Sequence, residues 1–288
     1  MTVAAGKSTT VHLSEDQFNR LRDIIYQRSG ISFQPTKKYI LESRLGRRLS
    51  ELDIDTYDDY ITFLTIGPYR DDEFQEMFNR ITINETSFFR NAPQLEVFER
   101  VALPQILEAK AASKRLRVWS AACSSGEEPY TLAMMIHRTL GIRFADWRIE
   151  ILGTDISQKV LDLAAEGVYT NYAMRSTAPT ILNKYFTQNG QNYVLDPTIR
   201  QMVNFEKHNL KDRLGAKRHG VFDVIFCRNV MIYFDENMKR SVVSLFEEML
   251  DPKGWLFIGH SETLRGLSTA FESQPYPEGF CYRKASAS

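Results

Sequence analysis

Apolar positions in the first part of the chain recur at helical spacing. Ser14 and Gln17 form an S-x-x-Q capping box, with Leu13 and Phe18 at the positions of a hydrophobic staple. Phe18, Leu21, Ile24 and Ile25 continue the stripe along one face, and Gly30 supplies a stop. The same spacing predicts helices at 37–52, 56–64 and 71–80, with no strand pattern before residue 90. An all-helical N-terminal domain is therefore expected over residues 11–90.

Near Leu116 the period changes. Strand-like runs at 116–120, 149–153, 203–206, 222–227, 255–259 and 280–283 alternate with helical stretches at 128–140, 158–165 and 237–250. This alternation predicts an α/β domain over 91–288, a mostly parallel sheet with helices on both faces. One stretch breaks it. Asn189-Gly190 lies between the apolar runs of 185–195 and predicts a hairpin with those two residues at the centre of its turn. A small antiparallel β subdomain is expected as an insertion at about 170–200.

The 288 residues suffice for two domains, and apolar and charged fractions of 43% and 25% suit a folded protein. The 36 basic residues balance the 36 acidic ones, whereas a general polyanion binder would be basic, so no nucleic-acid partner is expected. Cys123, Cys227 and Cys281 lie far apart without a C-x-x-C pair, which argues against zinc; no metal is expected. Sparse, odd cysteines suit a reducing compartment. Residues 1–11 lack the apolar core of a signal peptide, and no apolar run reaches 18 residues. The expected location is cytoplasmic, without membrane insertion, and 6–10 and 285–288 read as disordered tails.

In open α/β sheets ligands bind beyond the carboxyl ends of the strands, so the segments after each strand carry the information. The first is SAACSSGEEPY (120–130), whose small residues would let a ligand approach the backbone. With only Gly126 it is no dinucleotide fingerprint, which counts against a nicotinamide-dependent oxidoreductase. Glu127 and Glu128 would repel a pyrophosphate and suit a cationic ligand. The plainer reading is a tight turn with acids favoured by the helix dipole. Asp155 ends the second strand, where a carboxylate can accept both hydroxyls of a ribose or simply cap a helix, a task open to Ser157. Asn209-Leu210 follows the third strand; an amide there can read a base edge while Leu covers its face, or the pair forms an ordinary turn. The fourth strand ends in CRNVMIYF (227–234), facing the reacting atom. Cys227 has no base near it in sequence and reads as a buried small residue. The absence of an Asn-Pro-Pro-Tyr-like run counts against methylation of nucleic-acid amino groups. Phe88 and Phe89, in TINETSFFR (82–90), read as a hinge packing into a core, alongside any functional role. On the second helix, Lys37, Arg44, Arg47 and Arg48 share a basic arc beside a Leu41, Leu45, Leu49 and Leu52 stripe. Such an arc is either a solvated face or a dock for an acidic partner.

Taken together, ITINETSFFR (81–90), RVWSAACSSGEEPYTLA (117–133), ILGTDIS (151–157), VFDVIFCRNVMIYF (221–234) and GWLFIGHSE (254–262) resemble the chemotaxis receptor methyltransferases of the CheR type, in family order and spacing. The resemblance spans nearly the whole chain after the first ten residues. It implies a helical N-terminal domain, a Rossmann-like S-adenosylmethionine-dependent methyltransferase domain and an inserted β subdomain. It also implies transfer of a methyl group from S-adenosyl-L-methionine to glutamates of chemoreceptors, leaving S-adenosyl-L-homocysteine. By position, Asn84, Thr86, Arg90, Glu128, Asp155, Asn209, Leu210, Arg228 and Asn229 would line the cofactor site. Arg90 and Tyr233 would lie nearest the transferred methyl. Lys37, Arg44, Arg47 and Arg48 would face the acidic methylation helices of the transmembrane receptor. His260 is read as structural or substrate-shaping. One departure bears on partners. Family members that tether to a peptide at the receptor's C-terminus carry a glycine-rich insertion in the β hairpin, whereas here the loop is only TQNGQN (187–192). Direct binding to the receptor's helical stalk is therefore expected.

Overall fold

A computed structural model describes residues 11–82, 84–277 and 279–285. The tails expected at 6–10 and 285–288 lie outside these residues, apart from Ala285. The chain divides into two compact units between residues 83 and 84.

The first unit consists of α1 (Glu15–Ser29), α2 (Lys38–Glu51), α3 (Tyr57–Ile66) and α4 (Arg70–Ile81). The capping box at the start of α1 forms: the Gln17 amide donates to Ser14 Oγ at 3.2 Å, and the Ser14 amide donates to Gln17 Oε1 at 3.0 Å. Gly30 ends the helix at φ 77°, its N–H bonded to the Tyr26 carbonyl. Phe18, Leu21, Ile25, Leu41, Leu45, Leu49, Tyr60, Leu64 and Met77 are buried between the helices. Burying each such side chain contributes about 1.5–3 kcal/mol, which gives these amphipathic helices their stability.

The basic arc of the second helix divides in two. Arg48 donates from Nε and Nη2 to Glu73, at 2.6 Å for the Nη2–Oε2 bond, and the Tyr60 hydroxyl donates to Glu73 Oε1 at 2.7 Å. Glu73 is only 3% exposed, so this is an internal ion pair. Arg44 Nη1 donates to the carbonyls of Arg80, Ile81 and Thr82, which satisfies acceptors at the C-terminal end of α4. Arg44 and Arg48 are thus held by their own unit, while Lys37 and Arg47 are exposed. Helical spacing alone placed all four on one arc; the acceptors they meet come from a different helix.

Among its described residues the second unit contains β1 (Arg115–Ala121), β2 (Arg148–Asp155), β3 (Val168–Thr170), β4 (Phe186–Asn189), β5 (Asn192–Leu195), β6 (Val203–Lys207), β7 (Phe222–Cys227), β8 (Leu250–Ile258), β9 (Phe271–Tyr276) and β10 (Gly279–Lys284). Its helices are α5 (Ala92–Val97), α6 (Leu103–Ala109), α7 (Glu127–Leu140), α8 (Gln158–Glu166), α9 (Pro179–Tyr185), α10 (Pro197–Arg200), α11 (Arg213–Lys217) and α12 (Glu236–Met249). Seven strands form one sheet in the order β6-β2-β1-β7-β8-β10-β9. The first five are parallel, and β10 runs antiparallel to both of its neighbours. From β1 the chain winds outward to β2 and β6, then returns to β7 on the other side, so the sheet reverses direction beside the tip of β1. That is where an open α/β sheet binds its ligand. On one face, Phe226 and Phe257 stack at 4.4 Å with Phe98 edge-on to Phe226 at 5.3 Å. Trp119 packs against Phe222 and Phe246.

A separate antiparallel sheet, β3-β5-β4, forms the inserted subdomain. Its hairpin is shifted by one residue from the sequence expectation. Asn189 pairs with Asn192 inside the ladder, leaving Gly190-Gln191 as the turn, with Gly190 at φ 61°. A two-residue turn with glycine first also fits right-twisted strands, so the Asn-Gly signal found the hairpin but misplaced its centre.

Two elements carry no clear pattern in sequence. The helical run of α5, a π turn and α6 is punctuated by Pro93 and Pro104, each in a helix's first turn, where a missing N–H is tolerated. β9 contains Pro275 and lies at the sheet edge, the position open to proline. The unit boundary also differs from the expected residue 90. The Phe88 amide donates to the Ala173 carbonyl at 3.0 Å, and its buried ring stands edge-on to Tyr169 and Phe186. Residues 84–90 therefore fold with the α/β unit, drawn in by the aromatic pair that the sequence had marked as a hinge.

Replacing Arg48 with Ala removes the partner of a buried carboxylate and should destabilise the protein by on the order of 3 kcal/mol. Arg47→Ala should change stability by less than about 0.5 kcal/mol. Thermal and urea unfolding of the full chain checks this; equal midpoints for the two variants would contradict the assignment.

Candidate active site

The loop from β1 into α7 is shaped by left-handed backbone. Ala122, Ser124 and Gly126 have φ of 62°, 50° and 91°. Such conformations cost free energy in non-glycine residues and persist only where the surroundings hold them. Here the Cys123 amide donates to the Thr154 carbonyl at 2.8 Å, the Ser124 amide to Asp155 Oδ2 at 2.9 Å, and the Tyr169 hydroxyl to the Ser125 carbonyl at 2.9 Å. A Cβ on Gly126 would lie 2.8 Å from Ala164 Cβ and 3.1 Å from Phe205 Cζ, and one on Gly153 would lie 2.8 Å from the Phe205 ring. These glycines make room for Phe205, a reason internal to the fold rather than the ligand approach read from sequence.

Asp155, at the end of β2, is 7% exposed. Its Oδ1 accepts the Ser157 amide at 3.0 Å while Oδ2 holds Ser124. Burial pushes its carboxyl above the usual carboxylate range, against the pull of these backbone donors. Ser157 Oγ caps α8 through the Val160 amide. Asp155 thus braces two loops, and the helix cap falls to Ser157. The His208 amide donates to the Asp155 carbonyl at 2.9 Å, which sets Asn209-Leu210 beside it. Asn209 Oδ1 accepts the Lys211 amide, and Leu210 is buried.

A second set of contacts joins β1, the start of α7, the end of β7 and the 84–90 segment. Glu128 Oε1 accepts the Ser120 hydroxyl at 2.7 Å, and Oε2 accepts Arg228 Nη1 at 3.2 Å. Arg228 Nη2 donates to the Arg90 carbonyl at 2.6 Å. Arg228 is 8% exposed, and its Nε has no hydrogen-bond partner among the described residues. Burial pushes the Glu128 carboxyl up and the Arg228 guanidinium down, each opposed by the other's charge. Arg90 Nη1 closes back on the Glu85 carbonyl at 2.8 Å, and Ser124 Oγ reaches the Asn84 carbonyl at 3.4 Å. Thr86 anchors Arg175 through its own carbonyl.

Beyond β7, Asn229 is left-handed at φ 61°, and a short 3-10 turn, Met231–Tyr233, presents the half-buried Tyr233. Its neighbour Ile232 is half exposed. His260 is exposed rather than packed. Cys123 and Cys227 are fully enclosed and burial pushes both thiols well up; the Cys281 thiol is pushed up to about 12. Buried thiols with raised pKa are weak nucleophiles, which suits the reading of Cys227 as a buried small residue.

In the second unit Ser124 connects Asp155 with Asn84, and Arg228 connects Glu128 with Arg90. Asn209 and Leu210 follow β6 beside Asp155, Asn229 adjoins Arg228 in the chain, Thr86 holds Arg175, and Tyr233 ends the turn beyond β7. Lys37, Arg44, Arg47 and Arg48 belong to the first unit. Two further acids lie here: Glu127, which the sequence weighed beside Glu128 without placing it in the cofactor site, and Glu262, which the sequence reading passed over. Glu127, 4% exposed, accepts the Ser125 hydroxyl at 2.8 Å and lines a cleft of about 320 Å³ with Asn84, Thr86, Tyr169 and Tyr172. Glu262 accepts backbone amides from both sides of the β7 tip. The sequence signal for Glu262 was an acid three residues past the glycine that ends the fifth apolar run.

Similarity to known proteins agrees with this geometry. The family described as "CheR methyltransferase, all-alpha domain" matches residues 16–82, and "CheR methyltransferase, SAM binding domain" matches residues 84–280. The chain is 35% identical over 274 residues to chemotaxis protein methyltransferase 2 of Vibrio cholerae serotype O1, covering 94% of each. It is also 35% identical to the chemotaxis protein methyltransferases of Borreliella burgdorferi, over 89% of this chain and 91% of that one, and of Escherichia coli K12, over 90% and 88%. With both domains matched and relatives aligned almost end to end, the chain belongs to the CheR methyltransferase family, whose cofactor is S-adenosylmethionine.

Proposed function

We propose that this protein transfers the methyl group of S-adenosyl-L-methionine to glutamate side chains of chemoreceptors, forming methyl esters in sensory adaptation. The observation that carries the reading is the Glu128–Arg228–Arg90 connection, which ties the start of α7, the residue after β7 and the segment before α5 together through two hydrogen bonds. The names of the relatives supply the chemotaxis context.

The side chains present fit the cofactor. A nucleoside bearing an ammonium, a sulfonium and a carboxylate needs acceptors and donors in one place. Buried Asp155 and the largely enclosed Glu128 would be the acceptors, and Arg90 and the Nε of Arg228, without a partner among the described residues, the donors. A carboxylate oxygen takes two donors, so Asp155 can brace its loops and still accept ribose hydroxyls. Asn209 and Leu210 would meet the base, with Asn84, Thr86 and Asn229 closing the site.

When bound, S-adenosylmethionine supplies an electrophilic methyl on a cationic sulfur. The acceptor glutamate, with an ordinary pKa of about 4.3, is ionised at neutral pH, so its oxygen needs no general base. Transfer to a carboxylate would cancel a positive and a negative charge, so residues that exclude water around both would favour it. The protein's task is alignment, which can supply roughly 7–11 kcal/mol. Tyr233 would hold the acceptor carboxylate through its hydroxyl, and Arg90 would bind a carboxylate of cofactor or acceptor. The receptor's acidic helices would dock on the exposed Lys37 and Arg47, and the short 187–192 loop favours the receptor stalk over a tethering peptide. No helix among the described residues is long and apolar enough to cross a membrane; the reaction would take place on the cytoplasmic side of the receptor.

Arg90→Ala should lower methyl transfer to receptor-containing membranes by more than about tenfold, and Tyr233→Phe should lower turnover while sparing cofactor binding. Base-labile tritium label measures both; full activity of both variants, or base-stable label, would contradict the reading. Cofactor affinity should depend on pH with a defined sign. Glu128 and Asp155 bind a cation when ionised, and burial raises their pKa values. Affinity should be full above those raised values and weaken as pH falls through them, starting at higher pH than the usual carboxylate range of about 3.9–4.3. A calorimetric titration series whose affinity stays flat to that range would count against these carboxylates. Finally, Lys37→Ala combined with Arg47→Ala should weaken receptor binding at low salt, with the difference shrinking as salt rises. An unchanged Kd at low salt would remove the docking role.

A further inference from the structure

We propose that Glu262 is a positioning residue for methyl transfer, its carboxylate holding residues 229–233 in the conformation that presents Asn229 and Tyr233. The inference rests on the reading of those two residues as facing cofactor and acceptor.

Glu262 follows β8 and is 7% exposed. Its Oε2 accepts the amides of Gly259 and Asn229, the latter at 3.0 Å, and its Oε1 accepts the amide of Ile232 at 3.2 Å. One buried carboxylate therefore joins the end of β8 to both ends of the short segment beyond β7. Bonds to an ionised acceptor are shorter and about twice as strong as neutral ones, and here all three are made by backbone donors. The contact leaves no slack. A Cβ on Gly259 would lie 2.6 Å from Glu262 Oε2 and 2.9 Å from the Asn229 amide nitrogen. Asn229 sits in left-handed backbone, a conformation that its amide to Glu262 helps to hold. At the other end, Ile232 directly precedes Tyr233, whose own amide closes the turn on the Val230 carbonyl at 3.0 Å. The carboxylate touches neither reacting group on this account; it acts through the backbone that carries them.

Substitution chemistry makes the role testable. Glutamine keeps one acceptor oxygen, and its NH2 would meet an amide N–H, so at least one side of the segment is released. Aspartate is a methylene too short to span both sides. Gly259→Ala presses both on Oε2 and on Asn229 itself, so it displaces the same segment without altering Glu262.

The test is steady-state methyl transfer by the full-length protein to a receptor fragment, with S-adenosylhomocysteine calorimetry and thermal unfolding on each variant. Glu262→Gln should lower kcat by about tenfold or more at a receptor KM within about threefold of wild type. In a Tyr233→Phe background the same change should cost less than about threefold, because both variants disable one positioned turn. Glu262→Asp should reproduce the loss, and it decides the matter if Glu262→Gln does not fold. Wild-type turnover in a folded Glu262 variant, losses that multiply in the double variant, or losses in both Glu262→Gln and Glu262→Asp accounted for by unfolded protein would overturn the inference while leaving the proposed function intact. An inactive wild type would overturn the proposed function itself, and this inference with it.

Discussion

Glu128 and Arg228 meet at 3.2 Å in a place where water cannot easily reach either. Desolvating two charges costs several kcal/mol per ion, and mutual attraction offsets this only when the remaining hydrogen-bonding groups are also satisfied. Ser120 satisfies Glu128 from β1, and the Arg90 carbonyl satisfies Arg228 from the segment that opens the second unit. The pair therefore joins three stretches distant in sequence. Arg228 Nε alone lacks a partner among the described residues, and the pair sits beside the candidate cofactor site. Buried pairs often contribute little net stability; here the gain is the placement of Arg90, the charge assigned to the chemistry.

Around this pair the backbone is bent into unfavourable shapes. Phe89, Asn91, Ala122, Ser124 and Asn229 all have positive φ, and all lie in segments that reach the same strand tips. Three of the five have an amide held by a side chain from elsewhere in the unit: Thr131 for Phe89, Asp155 for Ser124 and Glu262 for Asn229. Acids in this region accordingly divide between two tasks. Asp155 and Glu262 hold loops by accepting backbone amides, while Glu128 holds an arginine. On the proposed reading the acceptor is already ionised and needs no general base, so the site's contribution is rigid geometry.

Much of this was legible before any coordinates. The change from helical to alternating period near Leu116 marks the α/β unit, and the residues after each apolar run are the ones the sheet gathers at its tips. What stayed hidden has physical reasons. Pro93 and Pro104 interrupt the periodicity of a helical run that tolerates them only because each falls in a first turn. Pro275 hides an edge strand. Arg44 and Arg48 share an arc with Lys37 and Arg47, but periodicity says which face a residue occupies and nothing of the acceptors on a neighbouring helix. Glu262 and Phe205 act on segments far away in sequence, so spacing could not reveal that one sets Asn229 and the other demands Gly126 and Gly153.

On the proposed reading, buried Asp155, the largely enclosed Glu128 and two arginines at the strand tips form a receptor for a cationic nucleoside. Isothermal calorimetry of the purified protein at neutral pH, titrated in turn with S-adenosylmethionine, S-adenosylhomocysteine and NAD, tests it most directly. The account predicts saturable one-to-one binding of the first two and none of the third. Absence of heat with both adenosyl compounds, or preference for the dinucleotide, would contradict it.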